Sequence, residues 1–162
     1  MKTLLILRHA KSDWDNAQLS DHDRPLNKRG LREAPLMGDL LRAQGLAPDL
    51  ILSSTAVRAR QTAELVSEGC GYANEIIFSR DLYLAEPEGY LEAIHLMAGD
   101  EETVMVVGHN PGMEELVSGL TKESVTMTTA NLAQVALPIE HWRELHEKTK
   151  GKLIQLWRPK EI

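Results

Sequence analysis

The chain has a single cysteine, Cys70, so no disulfide can form within it. Glu68-Gly69-Cys70-Gly71 carries no nucleophile or metal motif, which marks the thiol as inert and near a helix end. Aromatic residues are scarce, 4% against 43% hydrophobic overall, so aliphatic side chains must fill most of the core. No stretch approaches a membrane span, and the N-terminal run Leu4-Leu5-Ile6-Leu7, closed by Arg8, is too short for a signal-peptide core. Basic residues are in the minority. A net charge of −6 argues against general nucleic-acid binding and against attraction to an anionic membrane. These absences leave a cytoplasmic globular protein as the expectation. Its 162 residues suit one domain over 1–162, with no repeat or linker.

Short aliphatic runs predict strands at Thr3–Leu7, Asp49–Leu52, Glu75–Phe78, Thr103–Val107, Ala133–Leu137 and Leu153–Trp157. Leu31, Ala34, Met37, Leu40 and Leu41 recur at helical spacing and predict a helix from Asn27 to about Arg42. Ser53-Ser54-Thr55 supplies N-cap candidates for a second helix ending near Glu68. Pro87 suits the first position of a third, running to about Met97, and a fourth begins near Met113. The Asp-rich stretch 9–26 reads as a long loop, and such loops in compact domains are usually functional. Strands alternating with helices imply a three-layer α/β/α sandwich around a mostly parallel sheet.

Ligands of such sheets sit beyond the carboxyl ends of the strands. Three polar clusters fall there: Arg8-His9, Ser53 to Arg58, and Gly108-His109. An unprotonated ring nitrogen of His9 can attack phosphorus near neutral pH, and Arg8 offers planar donors to phosphate oxygens. Arg58 falls in the first turn of a helix, where the macrodipole disfavours a cation and free backbone N–H groups favour an anion. A bound phosphate would meet both conditions; a surface pair with Glu64 or another carboxylate is the competing reading. His109 can donate to an equatorial phosphoryl oxygen or simply cap the helix that follows.

Taken together, Leu7-Arg8-His9-Ala10-Lys11-Ser12, Asp23-Arg24-Pro25-Leu26 with Arg29-Gly30, Ser53-Ser54-x-x-x-Arg58-Ala59-x-Gln61-Thr62-Ala63 and Val107-Gly108-His109-Asn110-Pro111-Gly112 resemble the signature blocks of the histidine phosphatase superfamily, the phosphoglycerate-mutase-like fold. Ala10 replaces a glycine, a substitution common in one branch. The Arg-Pro-Leu block and small size are most similar to the SixA-like phosphohistidine phosphatases. The resemblance implies that His9 accepts the phosphoryl group and that Arg8, Arg24, Arg58 and His109 form the phosphate pocket. Without it, Arg24 reads as a loop residue paired with Asp21 or Asp23. Asp15 stands where mutase-like members carry a phosphate-contacting Asn, so it is expected to point away.

Many members protonate the leaving alcohol with a Glu or Asp. Glu86, before Pro87, is the candidate general acid, and Glu88 sits where a helix N-terminus stabilises a carboxylate without catalysis. A site without a strong acid suits phosphoramidates, because a phosphohistidine ring departs as neutral imidazole whereas an alkoxide needs a proton. The expected activity is metal- and cofactor-independent hydrolysis of phosphohistidine in a phosphotransfer or signalling protein. The alternatives are hydrolysis of a small phosphorylated metabolite, sugar-phosphate mutase activity, a non-catalytic phosphoprotein-binding module, and a metal hydrolase using Asp13-x-Asp15 and Asp21-His22-Asp23.

Overall fold

The computed structural model describes residues 1–162. Along the chain run β1 (Lys2–Arg8), α1 (Lys28–Ala43), β2 (Leu50–Ser54), α2 (Val57–Cys70), β3 (Ile77–Ser79), α3 (Pro87–Met97), β4 (Thr103–Gly108), α4 (Gly112–Thr121), β5 (Leu132–Leu137) and β6 (Lys152–Trp157). The six strands form one sheet in the order β3-β2-β4-β1-β5-β6. Strands β1 to β4 are mutually parallel, β5 is antiparallel to β1, and β6 is antiparallel to β5. The mostly parallel sandwich expected from the sequence is therefore the observed architecture.

Alternation along the strands splits the core between the two faces. Leu5, Leu7, Ile51, Met105 and Val107 pack with Ala34, Met37 and Leu41 of α1 and Ala59, Ala63 and Val66 of α2. Their strand neighbours Leu4, Ile6, Leu52, Val104 and Val106 turn the other way, onto Tyr90 and Ile94 of α3 and Leu116 and Val117 of α4. Gly38, which looks unfavourable in a helix by propensity, is needed where α1 crosses α2. A Cβ there would lie 2.6 Å from the Val66 carbonyl oxygen and 2.9 Å from the Gly69 Cα.

Asn27 caps α1, its side chain accepting from the Gly30 amide at 2.9 Å. The start of α2 differs from expectation. Ser53 and Ser54 belong to β2, paired in register with Val107, Phe78 and Ser79, and Ala56 is an N-cap without a side-chain bond. The strand ladder holds both serines extended, and the His22 carbonyl satisfies the first helical amide, Val57, at 2.9 Å. No helix is long and apolar enough to cross a membrane.

Candidate active site

The parallel pairing of β1 with β4 sets Arg8 opposite Gly108, so the residues that leave each strand, His9 and His109, emerge side by side. Their ring centroids are 5.1 Å apart. On the other side of β4, β2 ends at Ser54 and the chain enters α2, which presents Arg58 to both rings. Gly108 is required here by space: a Cβ would collide with the Tyr90 hydroxyl group, which accepts from the His109 amide at 3.2 Å.

His9 Nδ1 lies 2.7 Å from the carbonyl oxygen of Ala10. A carbonyl only accepts, so Nδ1 carries the proton and Nε2 keeps its lone pair. Arg58 Nε donates weakly to that Nε2 at 3.4 Å. Burial, reinforced by the neighbouring His109, Arg58 and Arg8, lowers the His9 pKa to about 3, so the ring is neutral at physiological pH. His109 is likewise lowered to about 3, by burial and then by Arg58. Its Nε2 meets Ser54 Oγ at 2.8 Å, and its Nδ1 lies 3.4 Å from Arg58 Nη2.

Two contacts outside the polar clusters align this group. Thr62 Oγ1 accepts from the Ala10 amide at 3.0 Å and donates to the Arg58 carbonyl at 2.7 Å. Gln61 Oε1 accepts from the Leu26 amide at 2.8 Å and so ties the Arg-Pro-Leu segment to α2. Ala10, where the signature has glycine, buries its methyl completely in the α1/α2 core.

Arg8 Nη1 donates to the Met127 carbonyl at 3.0 Å. Arg24 pairs with Asp21 at 2.7 Å, as the sequence alone allows, and it also lines the cavity. The carboxylate expected to compete for Arg58 is Asp21 rather than Glu64: Arg58 Nη2 meets Asp21 Oδ2 at 3.0 Å, and Nη1 donates to the Asp21 carbonyl at 2.6 Å. Burial opposes ionisation of Asp21, but hydrogen bonds from Tyr83 and Arg58 outweigh it and hold the carboxyl below its ordinary range. Tyr83, joined to Asp21 at 2.5 Å, is the site residue that sequence reasoning missed, along with the reach of Asp21 to Arg58. Tyr83 also sets its ring edgewise against His109, with centroids 5.5 Å apart.

Arg8, His9, Arg24, Arg58 and His109 thus meet around one cavity of about 200 Å³, with Lys11 and Asn110 also in its wall. Arg8 Nε and Arg24 Nε are buried with no hydrogen-bond partner. Unsatisfied buried guanidinium nitrogens are costly, and an oxyanion in the cavity is the natural acceptor for them. A larger cavity of about 410 Å³, beside α3 and β3, is mainly apolar and contains neither histidine nor cation.

Glu86 is the exposed N-cap of α3 and is absent from the wall of the 200 Å³ cavity. Glu88 lies in the first turn of α3. Asp15 is exposed, its amide bonded to Asp13 Oδ1 at 2.8 Å, and lies outside that wall too. No group of three His, Cys, Asp or Glu side chains is placed to hold a metal ion, so the Asp-rich loop offers no assembled ligand set.

A family model for the histidine phosphatase superfamily, branch 1, matches residues 4–83. An uncharacterised chloroplastic protein of Arabidopsis thaliana is 36% identical over 153 residues, which cover 88% of this chain and 70% of that protein. Among solved structures, a candidate phosphohistidine phosphatase, SixA, from Agrobacterium tumefaciens superposes with a TM-score of 0.83 at 32% identity, covering 98% of both chains. The protein histidine phosphatase SixA complexed with tungstate superposes with a TM-score of 0.82 at 24% identity, covering 98% of both.

Proposed function

Because the chain belongs to the histidine phosphatase superfamily, as a phosphatase of its SixA-like branch, we propose that it hydrolyses phosphohistidine in a protein through a covalent phospho-His9 intermediate. The observation that carries this reading is the state of His9. It is a neutral ring whose proton is held on Nδ1 by Ala10 and whose Nε2 lone pair, met only by the weak contact from Arg58, faces the arginine-lined cavity.

Arg8, Arg24 and Arg58 hold the three equatorial oxygens, displacing the weak Arg58–His9 contact, and His9 Nε2 attacks phosphorus in line. The new N–P bond forms as the bond to the leaving group breaks. A phosphohistidine protonated on its other nitrogen departs as neutral imidazole and needs no acid. Phospho-His9 keeps its proton on Nδ1, so it is a cationic and therefore good leaving group. Water attacks from the vacated side, the N–P bond breaks, and dihydrogen phosphate leaves neutral His9 behind. Arg58 Nη2 can only donate to His109 Nδ1, so the His109 proton sits on Nε2 and is given to the Ser54 hydroxyl oxygen at 2.8 Å. His109 thereby orients Arg58, whose guanidinium is the donor to the transferring group. No metal enters the cycle.

A protein substrate is supported by scale. A cavity of about 200 Å³ is smaller than the roughly 300–1,000 Å³ typical of small-molecule sites, so it takes the phosphoryl group and the group that directly bears it, and leaves the rest of the carrier outside. The same reading places the protein in the cytoplasm, beside phosphotransfer and signalling proteins. A turnover comparison between a phosphohistidine-bearing protein and a panel of phosphate monoesters tests it, with alkali-quenched mapping of phosphate on His9. Faster turnover of the monoesters, or phosphate on another residue, defeats it.

A further inference from the structure

Trp14 is the unusual residue of this pocket. It lines the cavity yet remains 68% exposed, although the large apolar surface of tryptophan is ordinarily hidden. Its position is fixed nonetheless. The Arg24 guanidinium carbon lies 3.2 Å from the indole centroid, and the flanking chain is held by the Ser12–Leu26 bridge and by the Asp13 amide on the Pro25 carbonyl at 2.8 Å.

Leu84 lines the same cavity, is 56% exposed, and holds a backbone φ of +54°. That conformation is disfavoured for any residue with a Cβ, and an exposed leucine gives the core little in return. Of eleven lining residues, these two alone are hydrophobic. The cavity therefore divides into a cationic floor for the phosphoryl group and an apolar mouth for whatever carries it. Arg24 covers one face of the indole, and the other, in a residue 68% exposed, favours a flat aromatic or cationic ring over a hydroxylated or saturated chain.

We infer that Trp14 and Leu84 form a ring-selective lip, favouring substrates whose phosphoryl group is borne on a planar ring, imidazole or aryl, over those borne on an alkyl or sugar group. This deepens the phosphatase reading and rests on it for where phosphorus sits.

Benzylphosphonate and cyclohexylmethylphosphonate isolate planarity at nearly constant size, and neither is hydrolysed. Calorimetry should show the benzyl compound binding about fivefold more tightly to the wild type. Trp14→Ala should bring that ratio to about one, while Trp14→Phe retains most of it. A wild-type ratio of one, or an unchanged ratio in Trp14→Ala, overturns the inference. So does an equal loss of both phosphonates and of inorganic phosphate, which would mean that Trp14 serves only to position Arg24. In turnover, Trp14→Ala should lower kcat/KM about fivefold on phosphoimidazole and phenyl phosphate, and less on phosphoramidate. The same loss on a phosphohistidine-bearing protein identifies imidazole as the natural ring; its absence there identifies an aryl ester. Unchanged turnover in His9→Ala would remove the covalent mechanism and leave the phosphonate ratio standing.

Discussion

His9, Arg58 and His109 on the pocket floor are at most 7% exposed, whereas Trp14 and Leu84 at the mouth are more than half exposed. The floor groups sit where strands β1, β2 and β4 end, and their positions follow from sheet register and the packing of α2. The mouth groups sit on connecting segments, held by a few local contacts. Rigid backbone fixes the reacting atoms, and loops carry what the reacting group is attached to. Changes to the floor should therefore act on the chemical step, and changes outward should act progressively on orientation and preference.

The sharpest break is His9→Ala. Turnover should fall by at least about a thousandfold, because the ring whose Nε2 lone pair is turned to the cavity is lost. Vanadate binding, read by calorimetry, should persist because the arginines remain. Arg58→Ala comes next, with an expected loss in kcat of about a hundredfold or more. Arg58→Lys should recover little, because a single ammonium cannot reach His9, the Asp21 carbonyl and the Asp21 carboxylate together. Asp21→Asn should lower kcat/KM about tenfold, partly through KM, as Arg24 and Arg58 lose the charge that orients both. Near-normal kinetics in that variant would show that the arginines are held by the pocket alone.

Stability should separate floor from mouth by pH. His9 and His109 have folded-state pKa values near 3, below the ordinary 6.5 that the unfolded chain regains. Between those values the unfolded state binds more protons, so stability is full above about pH 6.5 and falls as pH drops towards 3. Urea midpoints should decline through that window, and His9→Gln with His109→Gln should flatten the decline; Trp14→Ala should not. The smallest effect is expected from Glu86→Gln, under about twofold on phosphoimidazole, whereas a tenfold or larger loss would make Glu86 a proton donor after all.

The sequence is most legible where a physical period or a strand end governs. Leu4–Leu7 and Val104–Val107 read as buried strands because they are short and apolar, and α3 begins and ends where Pro87 and Met97 indicate. Arg8-His9 and Gly108-His109 are visible because each directly follows such a run. Partnerships across the loops are not legible. Asp21 can be paired with Arg24 by simple proximity, but its reach to Arg58, 37 residues on, and Tyr83, 62 residues on, depends on how the Asp-rich loop folds over α2. The serines misread as caps show the same limit, since a hydroxyl before a helix looks alike whether it ends a strand or starts a turn. Trp14 and Tyr83 lie outside any apolar period, so nothing in spacing points to them.

Thr62 has a consequence larger than its size. By gripping the amide next to the attacking ring with one lone pair while its proton holds the backbone of the arginine that must meet it, this hydroxyl couples loop to helix. The turn that carries the attacker and the helix that carries its clamp are thus pinned to each other through one oxygen, in addition to the sheet bonds that hold the attacker's own backbone. A valine of the same outline would fill the space and leave the Ala10 amide, buried beside the attacking ring, with no acceptor.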